Sequence, residues 1–479
     1  MSNQLTKADA ARKRKSLIKD PTSMLSALKN GGPLVWLSCL IMGLGNICAG
    51  QIIKGLLFLA MEAAFVYFMF FVPQGGAYWL SKLPSLGDVK DYEYYDENEM
   101  VYITVQGDRS QQILLYGVAV CCLIVAFIVM WRASVRSGYQ ALSIRKAGKK
   151  PLTFWGDIKE LFDSNIHKLL MTPPFVALIV FTIVPLIYMI CMAFTNYCDQ
   201  GDQLMYFDWI GFETFAKLFQ SDNVISKQFW GVLGWTLIWA FFATFLNFFF
   251  GTFVAMVINR PTTRLKGLWR TLFSLTIAVP QFVSLLIINS MFKPEGIINV
   301  MLRDMGLIEV FRDWGVKGVT ESMPFLTDPM WARVLVIVIN LWVGIPYTIM
   351  QVTGILKNIP ADLYEAAKID GANVAQQFIH ITLPYMIFVM TPYIITSFTG
   401  NINNFGVIYL FTGGGPVTDA GQTAGKTDLL VTWLYKLSVD QRDYNLAAVI
   451  GILTFVVLAV VSLVTYRSSG SYKDEEGFK

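Results

Sequence analysis

"ILKNIPADLYEAAKIDGANVAQQFIHITLP", residues 355–384, decides how the rest of the chain is read. It is too polar to lie inside a bilayer and too regular for a loose loop. Pro360 suits the first turn of a helix, where its missing N–H costs nothing. Asp362 puts an acid near the positive N-terminal end of that helix. Leu363, Ala366, Ala367 and Asp370 share a face by three-and-four spacing. Gly371 supplies a backbone bend closed to other residues. A second short helical stretch runs to about His380, and Pro384 opens a new apolar run. The whole reads as a helix–turn–helix on a membrane surface, between two spans.

The composition supports that setting. Of 479 residues, 54% are hydrophobic and only 15% charged, against about 25% charged in soluble domains. A spanning helix needs roughly 20 apolar residues. Eight runs qualify, near 52–72, 112–131, 174–195, 230–258, 270–292, 331–354, 385–411 and 446–466. Lipid offers no partner to open backbone, so each is expected to be a helix. The expected fold class is therefore an all-α integral membrane protein with about eight transmembrane helices.

Residues 33–50, "PLVWLSCLIMGLGNICAG", are apolar but interrupted by Gly43, Gly45, Asn46 and Gly50. A span here would move every later loop to the other side. Charge decides against it. Lys7, Arg12, Lys13, Arg14, Lys15 and Lys19 mark the N-terminus as cytoplasmic. Arg132, Arg136, Arg145, Lys146, Lys149 and Lys150 mark the loop after the second span, and Arg260, Arg264, Lys266 and Arg270 cluster after the fourth. The loop between the first two spans instead holds Asp88, Asp91, Glu93, Asp96, Glu97 and Glu99. The resulting division is a basic cytoplasmic N-terminus (1–32), an interfacial or re-entrant helix (33–50) and two N-terminal spans with an external loop (51–131). A basic cytoplasmic linker (132–171), six further spans (172–467) and a cytoplasmic tail (468–479) follow. Residues 355–384 then lie in the cytoplasm, whereas 73–111, 196–229, 293–330 and 412–445 lie outside.

Other chemistry finds little support. Cys39, Cys48, Cys121, Cys122, Cys191 and Cys198 have neither zinc-finger nor CxxC spacing and read as small hydrophobes. His167 and His380 are the only histidines, so no metal site is expected. The basic N-terminus continues into polar residues and several spans, unlike a cleavable signal peptide. No HExxH, GxSxG or paired intramembrane aspartates suggest an intramembrane enzyme. Glu62 in the first span reads as a structural or lipid-interface position near Lys54, not a proton relay.

Glu365-Ala366-Ala367, Gly371 four residues on, and then Ile381, Leu383 and Pro384 resemble the EAA signature of ABC importer permeases. The resemblance implies a six-helix type I importer core, preceded here by two extra spans, in a bacterial cell membrane. It implies that Glu365, Ala366, Ala367 and Gly371 form a coupling helix seated in a cleft of a separate ATPase. The small alanines let another surface approach, and Glu365 offers a charge. The implied partners are a second permease subunit, two ATPase copies and an extracytoplasmic sugar-binding protein. No cofactor is expected in this chain, because ATP and Mg would be bound by the ATPase. A secondary transporter would not need such a loop.

"FLTDPMWAR" (325–333), "INLWVGIPYTIM" (339–350), "INNFGVIYLFTGGGP" (402–416), "TDLLVTWLYKL" (427–437) and "YNLAAVIGIL" (444–453) are similar to the larger membrane subunit of maltose and maltodextrin importers. A polar side chain within a span is costly and usually faces a cavity or a neighbour. Asn340, Gly344 and Tyr347 share one face, as do Asn401 and Asn404, and Gln281 follows the expected helix break at Pro280. The resemblance implies sugar contacts at Asn340, Gly344, Tyr347, Asn401 and Asn404, and a polar contact at Gln281, where that subunit has serine. The bundle-glue alternative for each asparagine is an interhelical hydrogen bond. Ile277 stands where the subunit has tyrosine and Gly400 where it has phenylalanine, so a more open pocket for a different or longer oligosaccharide is expected. Residues 196–229 are too few for the large external domain of enteric members. Maltodextrin is the expected cargo. A galactoside, a raffinose-type sugar or glycerol phosphate is the alternative, although no cation stands mid-span to favour a charged solute.

"DAGQTAGKTDLL", residues 419–430, carries Gly425-Lys426-Thr427 after Ala420 and superficially matches a phosphate loop. A working one follows a buried strand and opens a helix. No strand pattern precedes this one, Ala420 replaces the usual first glycine, and its side is the outer one. Lys426 and Thr427 are expected to form part of an outer rim.

Overall fold

The computed structural model describes residues 24–96, 100–199, 203–260, 262–419 and 421–468. The basic segment 1–23, Glu97, Glu99, Ala420 and the tail from 469 lie outside the described residues. The chain divides into two compact units, Met1–Ile210 and Gly211–Lys479.

The first unit runs through α1 (Met24–Asn30), α2 (Pro33–Leu40), α3 (Leu44–Cys48), α4 (Ile52–Phe70) and α5 (Gly76–Lys82). A hairpin of β1 (Tyr92–Asp96) and β2 (Val101–Val105) precedes α6 (Ser110–Lys146), α7 (Phe154–Phe162) and α8 (Ile166–Met192). Residues 33–50 form α2 and α3, of 8 and 5 residues, too short to cross a core about 30 Å thick. Both pack on α6. Glu62 acts at the break between them, where its carboxylate accepts the Met42 N–H at 2.7 Å. Lys54 pairs instead with Asp157 at 2.8 Å. Asn46 is fully buried and donates to Gln51 Oε1 and Ser137 Oγ, both at 2.8 Å.

The fold is helical apart from this short hairpin in the loop between α5 and α6. Tyr92 faces Val105 and Asp96 faces Val101 in an antiparallel pair. The tyrosines and β-branched residues of "YEYYDENEMVYITV" favour a pleated surface, a signal hidden when the loop is read only for its charge. Asp91 pairs with Arg109 at 3.0 Å at the base of the hairpin, and Asp108 pairs with Lys82.

The second unit contains α9 (Glu213–Phe219), α10 (Val224–Asn259), α11 (Lys266–Ala278), α12 (Gln281–Met291), α13 (Ile297–Asp304) and α14 (Leu307–Asp313). It continues with α15 (Pro329–Asn358), α16 (Ala361–Ile369), α17 (Val374–Ile402), α18 (Phe405–Thr412), α19 (Leu430–Val439) and α20 (Tyr444–Ser468). Among the described residues, seven helices (α4, α6, α8, α10, α15, α17 and α20) are long and apolar enough to span a membrane, and the α11–α12 pair, bent by 90°, makes eight when counted as one broken span. The bend falls at Val279-Pro280, where proline removes an amide from the helical ladder.

The run 385–411 is not one helix. α17 ends at Ile402, and Asn404 starts α18 by accepting the Val407 N–H on its side chain at 3.2 Å. Asn401 and Asn404 therefore flank a break instead of sharing one helix face.

Two apolar clusters stabilise the second unit. Trp235, Trp239, Leu335, Val336, Ile339, Ile402 and Phe411 belong to one. Ala255, Ile258, Ile349, Val352, Met386 and Met390 form the other. α10, α15 and α17 each contribute to both. In lipid, where tails are as apolar as leucine, such helices associate through close packing and interhelical hydrogen bonds. α10 and α15 make the most extensive helix contact among the described residues. Gly344 lies on Asn247 and Gly251 on Thr348 so closely that a Cβ at either glycine would overlap the opposing side chain.

Candidate functional site

The three helices leave a cavity of about 270 Å³ along their stretches between the two clusters. α10 contributes Ala243, Thr244, Asn247 and Phe248; α15 contributes Asn340, Gly344, Tyr347 and Thr348. α17 adds Tyr393, Ile394, Ser397, Gly400 and Asn401, and Asn404 closes the set from the break. No charged side chain lines it among the described residues. The wall is amide, hydroxyl and aromatic, which suits a neutral polyhydroxylated solute: amides and hydroxyls meet its OH groups, and rings meet its C–H faces.

Five of the six sugar contacts expected from the sequence meet here. Gln281 does not; it opens α12 beyond the bend and is exposed. Asn401 donates to Thr244 Oγ1 at 2.9 Å, and its carbonyl accepts from Trp239 Nε1 at 3.0 Å. Asn404 Nδ2 lies 3.5 Å from Asn401 Oδ1. Both therefore also hold helices together, as the bundle-glue alternative requires. Tyr347 is 49% exposed. Asn340 is buried, and its Nδ2 has no hydrogen-bond partner among the described residues. A Cβ at Gly400 would meet nothing within 4 Å, so this glycine leaves open the space that a phenylalanine would fill.

Sequence reasoning missed Asn247, Thr244, Tyr393 and Ser397. Tyr393 and Ser397 stand two turns and one turn before Asn401, so the three-and-four rule that linked other residues applies to them too. Asn247 was legible as a lone amide within the phenylalanine-rich "FLNFFF".

The helix–turn–helix over 355–384 forms as α16 and the start of α17. Pro360 stands just before α16, not inside its first turn. Glu365, Ala366 and Ala367 lie on α16, and Gly371 takes φ +79° in the turn that follows. The Ala372 N–H donates to Ala367 O at 2.9 Å, which closes the turn. Asn373 and Gln376 then cap α17 reciprocally at 2.9 and 2.8 Å. Pro384 stands in the first turn of the α-helical stretch Leu383–Ile402 of α17, as expected. A π-helical turn at Phe378–Thr382 joins the short helix to the span, next to the amide that proline lacks. The surface is unpartnered: Ile369 is 87% exposed and Leu363 48%. A shallow depression beside it is lined by Ala367, Asp370, Gly371, Gln376 and His380, among others.

Residues 247–469 match the family described as binding-protein-dependent transport system inner membrane component. The galactooligosaccharides transport system permease protein GanP of Bacillus subtilis (strain 168) is 34% identical, over 91% of this chain and 97% of its own length. The chain belongs to the sugar ABC importer permeases. The maltodextrin transport system permease protein MdxF of the same strain is 32% identical over 91% of this permease and 95% of its own length. The maltose/maltodextrin transport system permease protein MalF of Klebsiella aerogenes is 36% identical, but over only 54% of this chain and 49% of its own. A bacterial alginate ABC transporter, solved in complex with an alginate pentasaccharide-bound periplasmic protein, shares the fold. Its TM-score is 0.52 at 23% identity, over 67% of this chain and 98% of that one. The permease is thus a multi-pass membrane protein.

In this permease the Gly425-Lys426-Thr427 amides of the stretch that imitates a phosphate loop are already hydrogen-bonded within the protein. Gly425 N–H donates to Asp428 Oδ2 at 2.7 Å, Lys426 N–H to Pro416 O at 2.8 Å and Thr427 N–H to Gly414 O at 3.1 Å. Lys426 Nζ leans on Asp419 at 3.5 Å. Arg333 Nε holds the Lys426 carbonyl at 2.8 Å, and Trp235 Nε1 holds that of Thr427 at 3.2 Å. Asp428 is fully buried and accepts from Thr432 Oγ1 at 2.8 Å and Lys436 Nζ at 2.7 Å. Burial pushes its carboxyl above the usual range, while Lys436 and the Gly425 amide pull it back.

Proposed function

We propose that this permease carries a neutral α-glucan oligosaccharide of the maltodextrin class through the cavity between α10, α15 and α17 by alternating access. The observation that carries the reading is an uncharged, amide- and hydroxyl-lined cavity joining Asn340, Gly344, Tyr347, Asn401 and Asn404. Similarity to MdxF over nearly the whole of both chains supports the maltodextrin class. Similarity to GanP favours a second reading, a galacto-oligosaccharide. The absence of a cation from the described cavity wall argues against glycerol phosphate or an acidic sugar. Glu365, Ala366, Ala367 and Gly371 would meet a separate ATPase, which binds ATP and Mg; this chain needs no cofactor. A second permease subunit, two ATPase copies and an extracytoplasmic sugar-binding protein complete the assembly.

The test is uptake by the complex purified with its native partners into proteoliposomes, with labelled maltotriose and galactobiose. ATP-dependent maltotriose uptake is expected; selective galactobiose uptake would replace the first reading by the second, and uptake of neither would end both. Gly371→Val strains a positive-φ turn by roughly 1–3 kcal/mol and shifts the helix beside it. It should cut uptake while ATP hydrolysis persists. Uptake at the original rate would remove the coupling assignment.

A further inference from the structure

We propose that Asn247 is a specificity-determining residue whose Oδ1 accepts a hydrogen bond from a hydroxyl of the transported sugar, paired with a bond donated by Asn340 Nδ2 to a neighbouring hydroxyl. The inference rests on the reading of the cavity as the sugar path. Its basis is a pair of buried, unpartnered polar atoms in the cavity lining, one on α10 and one on α15. Asn247 Nδ2 donates to Ala243 O at 2.7 Å, which fixes the amide orientation and leaves Oδ1 as the outstanding group. That Oδ1 is buried and has no partner among the described residues. Asn340 Nδ2 is buried and unpartnered as well. Of the six such atoms among the described residues, these two line the same cavity.

One is an acceptor and the other a donor. A sugar hydroxyl both donates and accepts, so adjacent hydroxyls on a pyranose ring satisfy such a pair together. An alkyl chain, which has neither donor nor acceptor, does not. Buried polar groups in native proteins are nearly always paired, and an exception at a cavity wall points to a ligand. Gly344 explains why the pair stays unsatisfied here. It stands one turn after Asn340, and the Asn247 side chain lies directly on it. Both orphan atoms are shielded while α10 and α15 touch. A sugar that wedges Gly344 away from Asn247 uncovers acceptor and donor at once, so recognition is tied to separation of the two helices.

The test uses the complete transporter in proteoliposomes, with maltotriose, or galactobiose if maltotriose is not taken up. Monodeoxy analogues of the same sugar serve as competitors. Asn247→Ala is expected to raise the transport KM about ten-fold with maximal rate nearly unchanged. The decisive readout is coupling. At least one monodeoxy analogue should compete about ten-fold worse than the parent sugar in the original protein and equally well in the variant, because the missing hydroxyl has lost its partner. If every analogue loses competitiveness by the same factor in both proteins, Asn247 only packs, and the inference falls. Asn247→Leu, close in volume, is read by the same criterion if the alanine variant does not assemble. Tyr347→Ala separates the two levels of the argument. If it raises KM while Asn247→Ala does not, this inference alone fails; if neither does, the cavity is not the sugar site.

Discussion

The cavity between α10, α15 and α17 and the segment 413–429 are two polar regions of an apolar protein, in opposite hydrogen-bond states. In the segment, amides that a phosphate loop would leave free donate to Asp428, Pro416 and Gly414. In the cavity, Asn247 Oδ1 and Asn340 Nδ2 are buried without partners. The segment carries the recognisable motif letters, but its Gly425, Lys426 and Thr427 amides are already spent inside the protein. The cavity carries no motif and keeps its two polar atoms unspent. A ligand site is marked by what its polar atoms still lack.

The largest effect expected from this contrast is at Asp428. Its carboxylate takes Lys436, Thr432 and the Gly425 amide inside the protein, and the Lys436 side chain is only 15% exposed. Asp428→Ala leaves that lysine unpaired and should destabilise the permease by about 3–5 kcal/mol, read as a lowered unfolding temperature of the purified complex. Lys426→Ala, in the same motif, should stay within about 0.5 kcal/mol and leave ATP-driven uptake intact. If Lys426→Ala instead abolished ATP-driven uptake, the contrast would be broken.

A smaller effect is expected at Gly400, where open space lies in the cavity wall. Gly400→Phe should weaken uptake of a trisaccharide by about 1–3 kcal/mol, some 10–200-fold in KM, and uptake of a disaccharide much less. Equal losses for both sugars would show that this space does not hold the extra ring.

The smallest effect is a pH dependence that sets charged loop against uncharged cavity. Asp91 is held below the usual carboxylate range by the Gly107 amide, then by Tyr206 and Arg109. A depressed acid stabilises the fold above its unfolded value, near pH 3.9, and loses that contribution as pH falls through the folded value. The protection of the β1–β2 hairpin amides, their exchange measured relative to the intrinsic rate at each pH, should therefore fall on acidification below about pH 4. Detergent-solubilised permease at pH 6 and pH 3 provides the comparison, and an unchanged hairpin would dismiss the Asp91 contribution.

Much of the fold was legible because lipid leaves backbone few options. Runs of about 20 apolar residues must be helices, and about eight were readable before any coordinates. Pro280 announced its own bend. The hairpin and the α17–α18 break were not legible in the same way. The first depends on strand pairing within a loop, and the second on Asn404 spending its side chain on a cap instead of continuing a helix. Five cavity residues were readable from spacing and resemblance, but Gln281 lay on the same evidence and ends outside the wall. Spacing assigns a face within one helix; it says nothing about what that face meets.

The sequence by itself determined the membrane class, the family and the exposed turn around Gly371, since each follows from local composition or contiguous spacing. Only the tertiary structure decided which polar atoms remain unpaired. That depends on α10 pressing Asn247 onto Gly344, a contact between residues nearly a hundred positions apart, and on the loop closing on itself around Asp428. Hydrogen-bond satisfaction is a property of three-dimensional neighbours, and no single stretch of sequence contains them.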